Sequence, residues 1–473
     1  MIETAKKYCL LSVFALHACT VGSYYIKPIV EVPEHYQSES HWKKAQPAKG
    51  VDRSKWWTVF NDQQLNSLQD QLVISNQNLM AAAARFRQAQ SLLMEARASY
   101  FPTVSADASA MRSAESASKS KGRAVGSTTD YTLGLNARWE ADLWGRIGRG
   151  VEASRANVEA SANDLAAATL SAQTALAQNY FQLRAADAQK QLLNDTIIAY
   201  KNSLKLTENQ YKQGVVAKTA VIQAKVQLTA TQALAIAVDV QRTKTEHAIA
   251  LLLGKPAATL KVSAAGEFNH DLPAIPAQLP SALLERRPDI AAAERRVAAA
   301  NAQIGLTEAA YFPVFGFSAA GGYQNSSFSE WLTAPSHVWS LGPALAATVF
   351  DGGARRARTA QAQAIFDEDV ALYRQTVLTA FQEVEDNLAA LRILAQQSQV
   401  QDIAVQAARQ DVKLTLNQYK AGIVSYLNVV VAQATQLRNE RTALDIRTEQ
   451  MAASVALIAA LGGGWHVDRV IQK

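Results

Sequence analysis

Few residues in this chain have the type and spacing that covalent or metal chemistry requires. Both cysteines, Cys9 and Cys19, precede residue 20, so we expect neither a disulfide nor a cysteine metal site in the folded body. The seven histidines are scattered and none belongs to a His-Glu-x-x-His motif. A glycine-rich phosphate loop and a nucleophile elbow are also absent from the sequence. These patterns predict no enzyme, no metal and no cofactor.

Cys19 is the exception, because its surroundings predict attachment of lipid. Two lysines precede an apolar run over 9–16, which is too short to span a bilayer and is typical of a signal peptide. The run ends Leu16-His17-Ala18-Cys19, which resembles the lipobox of bacterial lipoproteins, although His17 is atypical. In a lipobox the cysteine is acylated and becomes the mature N-terminus. Thr20 stands where an aspartate would retain the protein at the inner membrane, so the resemblance implies the outer membrane. An ordinary secretory leader or an uncleaved anchor is the alternative.

Charge and composition narrow the class of protein. The net charge of +6 comes from 47 basic and 41 acidic residues spread along 473 positions. No basic cluster alternates with aromatic residues, so we expect no nucleic-acid partner. Hydrophobic residues make up 49% of the chain but aromatic residues only 7%, and alanine dominates. This balance favours closely packed helices over a bulky globular core.

The chain contains an internal duplication. The segment 206–216 returns at 414–424 with Leu-Thr-x-Asn-Gln-Tyr-Lys-x-Gly-x-Val preserved, an offset of 208 positions. Tyr100-Phe101-Pro102 recurs as Tyr311-Phe312-Pro313. A period this long corresponds to a folded half rather than to a solenoid unit, so each half should hold the same elements in the same order.

Each half offers two segments with the alternation of membrane β-strands, placed at about 100–112 and 130–143, and at about 312–324 and 337–350. The alternation is clearest over 131–141. No stretch of about 18 apolar residues follows the leader, so strands rather than a helix should cross the membrane. Two hairpins packed on a soluble core are the alternative.

Four strands cannot close a barrel, and open sheet edges are not tolerated in hydrocarbon. The chain must therefore pool its strands with copies of itself. Three copies would supply about 12 strands, an even number within the range of bacterial barrels.

The remaining sequence is predicted to be helical. Residues 145–213 and 352–421 lack proline, and each corresponds to about 100 Å of helix at 1.5 Å per residue. Each long helix should fold back on a shorter one at Gly214 or Gly422, since glycine accepts the positive φ of such a turn. The predicted organisation is a signal peptide (1–18), a lipidated extended segment (19–61), a first repeat (62–254), a linker (255–280), a second repeat (281–464) and a C-terminal tail (465–473).

These features together resemble the TolC-like outer membrane factor family, most closely its lipoprotein branch, the outer ducts of drug efflux pumps. The resemblance covers essentially the mature chain and rests on the duplication and on several motifs: Cys19 before Tyr25-x-x-Pro28, Trp56-Trp57-x-x-Phe60-x-Asp62-x-x-Leu65, Trp139-Glu140-x-Asp142-Leu143-Trp144-Gly145, Leu284-x-x-Arg287-Pro288-Asp289-Ile290 and the two Tyr-Phe-Pro strand entries. It implies an α+β membrane protein, a homotrimer with a 12-stranded outer-membrane barrel that continues as a helical barrel through the periplasm of a Gram-negative bacterium.

The resemblance also implies partners and site residues. The hairpin tips would close the periplasmic end and open when a periplasmic membrane-fusion adaptor and a proton-driven inner-membrane transporter engage them. The matching positions are Tyr211, Gly214 and Thr219 on one hairpin and Tyr419, Gly422 and Asn428 on the other. Lys218 lies near the same end and is a further candidate for contact at the aperture. The alternative is that the tyrosines only cap helix packing and that the lysines are solvated. Members of the family commonly place aspartates just after each turn, whereas this chain has Ala220, Asn428 and Val431, so we expect an aperture without a carboxylate ring.

Three tryptophans, Trp139, Trp331 and Trp339, are predicted to form the aromatic belt at the membrane interface. Packing in the core of a soluble sheet is the alternative. The predicted function is passive conduction of drugs and small toxic molecules. A duct for type I protein secretion is one alternative, and a soluble coiled-coil scaffold is another.

Overall fold

A computed structural model describes residues 20–32, 53–114, 127–265, 268, 272–273 and 286–463. Cys19, the predicted signal peptide, the C-terminal tail and much of the predicted linker lie outside these ranges. The described helices and strands are, in chain order, α1 (Gln63–Ser75), α2 (Gln77–Ala98), β1 (Thr103–Ala114), β2 (Ser127–Ala141), α3 (Arg146–Lys212), α4 (Lys218–Leu252), α5 (Pro288–Ala309), β3 (Val314–Asn325), β4 (His337–Ala346), α6 (Ala354–Lys420) and α7 (Tyr426–Ala460), with short 3-10 segments at Arg53–Phe60, Ala257–Thr259 and Ala334–Ser336.

The described chain divides into two compact units. The first, which we call the sheet unit, contains 20–29, 85–161 and 292–374. The second, which we call the hairpin unit, contains the remaining described residues up to 463. Both repeats contribute to each unit, so the duplicated halves are interleaved rather than folded as separate domains.

The sheet unit holds one antiparallel sheet in the order β1-β2-β3-β4. The central pairing of β2 with β3 joins the two repeats, with Trp139 opposite Phe317 and Leu135 opposite Gly321. Because side chains alternate along a strand, the residues predicted to be apolar share one face of all four strands. That face is exposed in the single chain: Trp339, Leu341 and Leu345 of β4 are exposed by 74, 72 and 69%.

Both long helices contain 67 residues, α3 from Arg146 to Lys212 and α6 from Ala354 to Lys420. The helix that we expected before β1, however, is broken into α1 and α2 at Asn76. The Asn76 side chain caps α2 through a 3.0 Å hydrogen bond from the Leu79 amide. It also donates to the Leu252 carbonyl across 2.7 Å. The break therefore places a capping residue against the end of α4.

By length and composition alone, α4 is apolar enough to cross a membrane, and it is the one helix of the described ranges that meets both criteria. The sequence had led us to expect none. A single helix of this kind is weak support for a membrane span. Seven of its residues, among them Leu228 and Ile249, are buried within the protein.

The hairpin unit has its main core around the 3-10 segment Arg53–Phe60. Trp56, Trp57 and Phe60 pack with α1, α3 and the end of α7. The start of the linker joins this core through Val262, which is 3% exposed. A buried ionic network holds the linker in place. Its centre is Asp187, which accepts from Arg184 across 2.9 Å and from Arg242 across 2.7 Å.

Both arginines of this network also bind the linker backbone. The Arg242 guanidinium donates to the Val262 carbonyl across 2.8 Å, and that of Arg184 donates to the Ser263 carbonyl across 2.7 Å. Asp187 accepts from the Ala265 amide across 3.2 Å. Three charged side chains thus fix both the position and the direction of the chain over 262–265.

In the sheet unit, the segment 20–29 packs on α3 and α5. The Val21 amide donates to the Trp144 carbonyl across 3.1 Å. Arg149 donates to the Gly22 carbonyl across 2.8 Å. Gly22 has φ +96°, and a Cβ there would lie 2.7 Å from the Cα of Gly305, so only glycine permits this close approach.

Candidate functional site

The two helix turns of the hairpin unit form the first candidate site. In hairpin 1, which comprises the end of α3 and α4, Gly214 has φ +74°. Its amide donates to the Tyr211 carbonyl, and the Val215 amide donates to the Gln210 carbonyl, both across 2.9 Å. This pair of hydrogen bonds is a Schellman motif, which ends a helix on a left-handed residue. Nothing lies within 4 Å of the Cβ that an alanine would add at Gly214, so backbone conformation rather than space requires glycine.

Hairpin 2, which comprises the end of α6 and α7, repeats this turn. Gly422 has φ +76° and donates to the Tyr419 carbonyl across 3.0 Å. The Ile423 amide donates to the Gln418 carbonyl across 2.9 Å. The structure therefore gives the two predicted turn glycines the same geometry.

The tyrosines of the two turns differ, although the sequence makes them equivalent. Tyr419 is 3% exposed, whereas Tyr211 is 44% exposed. Tyr419 packs edge-on against Tyr426, with ring centroids 5.3 Å apart. Both rings belong to a cluster that includes Val429 of hairpin 2 and Ala224 of hairpin 1. Its hydroxyl donates to the Oγ1 atom of Thr207 across 3.2 Å. Tyr419 is thus a contact between the two hairpins of one chain.

Burial raises the pKa of Tyr426 above its ordinary value, and the neighbouring Tyr419 adds to the effect. Tyr426 was not singled out from the sequence. The signal was available in the repeat, because Lys218 occupies the equivalent place in hairpin 1 and an aromatic residue in place of a lysine points to a buried position. Lys218 itself is exposed.

The remaining predicted tip residues lie on the surface. Thr219 and Asn428 are exposed, as are the two turn glycines. A groove of about 670 Å³ runs between the two turns, and residues from both hairpins line it, including Gln210, Val216, Thr219, Tyr419, Gly422 and Tyr426. Three of the seven predicted tip residues, Thr219, Tyr419 and Gly422, thus line one groove.

The segments around the two turns contain basic residues but no acidic ones. The sequence contains no aspartate or glutamate from 209 to 238 or from 412 to 439. Lysines are present in both stretches, at positions that include Lys212, Lys218 and Lys420, which are all exposed. The described tip surface of one chain therefore carries positive charge without carboxylates.

The exposed face of the sheet is the second candidate site. Trp139 of β2 stacks on Phe317 with ring centroids 5.8 Å apart, and its indole donates to the Tyr100 carbonyl across 2.9 Å. Eight residues earlier on the same face, Tyr131 contacts Trp331 and Phe328 at 5.8 and 5.4 Å. Eight residues of strand span roughly 26 Å at about 3.3 Å per residue.

Two groups of aromatic rings thus bracket an apolar band on this face, with Leu133 and Leu135 between them on β2. A band about 25 Å tall between two aromatic girdles is the usual outer surface of a transmembrane barrel. Trp139 and Trp331 belong to opposite groups. Trp339 lies within the band on β4 and is the most exposed of the three predicted tryptophans, by 74%.

The opposite face of the sheet is polar. The amide of Asn136 donates to Asp107 on the neighbouring strand. Gln324 donates to Asp130 across 2.7 Å. One apolar and one polar face, with two edge strands that have no further partner among the described strands, fit a membrane sheet that encloses an aqueous lumen.

Among the described residues, no group of three or more His, Cys, Asp or Glu could hold a metal ion. Several buried charged groups, such as Asp187 and Arg184, are instead engaged in ion pairs that fasten segments together.

Comparison with known proteins agrees with this geometry. The family profile described as outer membrane efflux protein matches residues 68–255 and 279–463. The cation efflux system protein CusC of Escherichia coli is 28% identical over 96% of this chain and 97% of its own length. The antibiotic efflux pump outer membrane protein ArpC of Pseudomonas putida is 30% identical, with 96 and 95% of the two chains covered.

Among solved structures, the outer-membrane channel OprN matches with a TM-score of 0.88 and 31% identity, covering 94% of this chain and all of that chain. The TolC-like α+β fold expected from the sequence is therefore confirmed. Because the family profile spans most of both repeats, the chain belongs to the outer membrane efflux protein family.

Proposed function

We propose that this chain forms the outer-membrane duct of a tripartite efflux system. Three copies pool their four strands into a barrel of about 12 strands, and the helical hairpins continue the duct into the periplasm. The observation that carries this proposal is the four-stranded sheet with an exposed apolar face and two unpaired edges. Open edges are not tolerated in lipid, so strands from other copies must cover them.

The tips supply the second half of the proposal. An adaptor in the periplasm and a proton-driven inner-membrane transporter engage the groove between the turns of hairpins 1 and 2. The groove has both polar and apolar walls, and its lining includes the exposed Thr219 and the turn glycine Gly422. Both turns present backbone and small side chains, which permits close approach of another helical hairpin.

Cys19 anchors the chain to the outer membrane through lipid. The neighbouring Thr20 packs on Gly145, where a Cβ would lie 2.9 Å from the Thr20 side chain. Gly145 follows the end of β2 at Ala141 by only a few residues. Thr20 therefore lies beside the Trp139 and Phe317 end of the sheet, close to the aromatic girdle of the proposed barrel.

The cargo is proposed to be drugs and other small toxic molecules, which pass unmodified. CusC and ArpC bear the names of cation and antibiotic efflux systems, respectively, at nearly equal identity to this chain. Similar ducts thus serve different cargo, which agrees with selection by the pump.

Electron microscopy of the full chain, extracted from membranes in detergent, tests the duct. A hollow particle with three-fold symmetry and a length above about 100 Å, as the helix rise requires, is the expected result. A thin rod or a compact particle would overturn the proposal in favour of a coiled-coil scaffold.

The cargo needs a separate test in a host that lacks its own ducts. Expression of this chain with its pump and adaptor should lower the accumulation of a fluorescent dye. Release of a polypeptide into the medium, without an effect on dye accumulation, would instead identify a protein secretion duct.

A further inference from the structure

Hairpin 2 contacts hairpin 1 within one chain through two polar pairs. The Tyr419 hydroxyl donates to Thr207 across 3.2 Å, and the Gln433 amide donates to the Oγ atom of Ser203 across 3.1 Å. All four side chains are at most 5% exposed. The face of hairpin 2 that contains Tyr419 and Gln433 thus contacts the face of hairpin 1 that contains Ser203 and Thr207.

Because the chain is duplicated, each hairpin carries both kinds of face. At the offset of 208 positions, the counterparts of Tyr419 and Gln433 on hairpin 1 are Tyr211 and Lys225. The counterparts of Ser203 and Thr207 on hairpin 2 are Asp411 and Thr415.

These counterpart faces are not used within the chain. Tyr211 is 44% exposed, and Lys225 and Asp411 are exposed as well. Asp411 accepts only a 3.2 Å hydrogen bond from Thr415 on its own helix. Within the described ranges, Lys225 and Asp411 have no ionic partner.

The two unused faces are complementary in charge. Where the contact inside the chain pairs the neutral Gln433 and Ser203, the counterpart positions hold Lys225 and Asp411, which attract each other. No acid other than Asp411 lies between 409 and 439 of hairpin 2, and hairpin 1 has no acid from 209 to 238. If the contact inside the chain were repeated between two copies, Lys225 of one copy would therefore face Asp411 of the other.

We propose that Lys225 pairs with Asp411 of the neighbouring copy, and that Tyr211 donates to Thr415 of that copy, when the hairpins alternate around a ring. The inference rests on the proposed trimer and adds the residues that close its periplasmic end. Contacts of this head-to-tail kind generate rings when the rotation closes. Hairpin 1 of each copy then contacts hairpin 2 of its own chain on one side and hairpin 2 of the next copy on the other.

Cross-linking tests this pairing in the full chain in native membranes. A chain with Lys225→Cys and Asp411→Cys, treated with a short bismaleimide, should give dimers and trimers on a denaturing gel. A chain with Lys190→Cys and Asp239→Cys, at the positions of an accessible ion pair within one chain, is the matched control and should cross-link within the monomer. Each single variant, and the wild-type chain for Cys19, should give no such bands.

The outcomes separate this inference from the proposed function. If three-fold particles form and the control pair reacts, but the 225 and 411 pair gives no band between chains, the pairing is overturned and the trimer stands. If no three-fold particle forms, the trimer fails and the pairing fails with it.

Charge reversal gives a functional readout in planar bilayers. Lys225→Glu and Asp411→Lys should each raise the resting conductance. The equilibrium constant for opening should increase by about two- to fivefold, as expected for loss of an exposed ion pair. The double variant should restore the wild-type conductance, since it rebuilds the pair with the charges exchanged. Lys244→Glu, at an exposed position farther along α4, is the control and should leave it unchanged. Additive effects in the double variant would contradict the pairing.

Discussion

The Tyr25 hydroxyl donates to the carboxylate of Glu294 across 2.5 Å, and this contact fastens the N-terminal segment to α5. Arg295 binds the same carboxylate with two hydrogen bonds of 2.6 Å, and its guanidinium also lies over the Tyr25 ring at 5.8 Å. Burial by itself pushes the pKa of Glu294 upward. The hydrogen bonds from Arg295 and Tyr25 and the charge of Arg295 outweigh this effect, so the pKa of Glu294 is lowered.

We predict that acid loosens the N-terminal segment. A carboxyl group whose pKa is lowered by folding stabilises the folded state above its ordinary pKa of about 4.3, and this contribution is lost as the pH falls through the lowered pKa. Amide hydrogen exchange over 20–30 should therefore accelerate below about pH 4 in the wild-type chain. In Glu294→Gln exchange should be faster at neutral pH, and its acceleration on acidification should be smaller.

The effect of Glu294→Gln should be about 1.5–3 kcal/mol in local unfolding free energy, the value typical of hydrogen bonds to a charged group. Glu152→Gln is the control, because Glu152 pairs with Arg149 across 2.8 Å but its side chain is 44% exposed. Its effect should stay below about 1 kcal/mol. Equal effects of the two variants would show that the Tyr25 contact does not hold the segment.

A second prediction concerns Asp187, which joins Arg184 and Arg242 beneath the linker. The side chains of Asp187 and Arg184 are 3 and 2% exposed. Asp187→Ala leaves the buried Arg184 without its carboxylate partner, which should cost about 3–5 kcal/mol, while Arg242 keeps its ion pair with Glu246. We expect faster hydrogen exchange over 262–265 and a lower midpoint of thermal unfolding for the hairpin unit.

The exposed pair of Lys55 and Asp70 is the control for this prediction. It has a similar separation of 2.8 Å, but its side chains are 48 and 55% exposed. Asp70→Ala should change the unfolding free energy by less than about 1 kcal/mol. A loss at Asp187 as small as the one at Asp70 would rule out the buried network as the clamp on the linker.

The repeat explains how much of the site could be predicted. Gly214 and Gly422 were found because a left-handed helix end demands glycine whatever surrounds it. The different exposure of Tyr211 and Tyr419 could not be found, since the duplication makes their local sequences alike and only the packing of hairpin 2 on hairpin 1 distinguishes them. Local rules thus located the turns, and tertiary contacts assigned their roles.

Two features of the fold were likewise not predicted: the break at Asn76 and the pairing of β2 with β3. Leu72 and Leu79 keep the seven-residue spacing of a continuous apolar helix face across the break at Asn76, so apolar periodicity alone conceals the break. Ser75-Asn76 was a usable signal, because asparagine is a favoured N-cap residue. The pairing of β2 with β3 across the repeats had no sequence signal, because alternation defines the faces of a strand but not its neighbours.

A third prediction addresses the lipid. Cys19→Ala should abolish incorporation of labelled palmitate, whereas Cys9→Ser, within the predicted signal peptide, should leave it unchanged. The unlipidated chain should still stay in the outer membrane and keep its three-fold symmetry. The physical reason is that the exposed apolar face of the sheet inserts directly into the membrane without help from the lipid. Release of the Cys19→Ala chain into the soluble fraction would show that lipid alone holds it.

The absence of carboxylates near both turns leads to the last prediction. With no acid from 209 to 238 or from 412 to 439, the aperture should show little preference for cations in reversal potentials measured across a salt gradient.

Asn428→Asp introduces one carboxylate per copy at an exposed position in the first turn of α7, where the helix dipole favours an anion. This variant should shift permeation toward cations and make the channel sensitive to block by trivalent cations. The shift should weaken as salt rises, because the screening length is about 10 Å at 0.1 M. Gln397→Glu, at an exposed position of α6 well before the turn, should have no such effect. High cation selectivity in the wild-type chain would show that carboxylates elsewhere along the duct, rather than the tip residues, determine which ions pass.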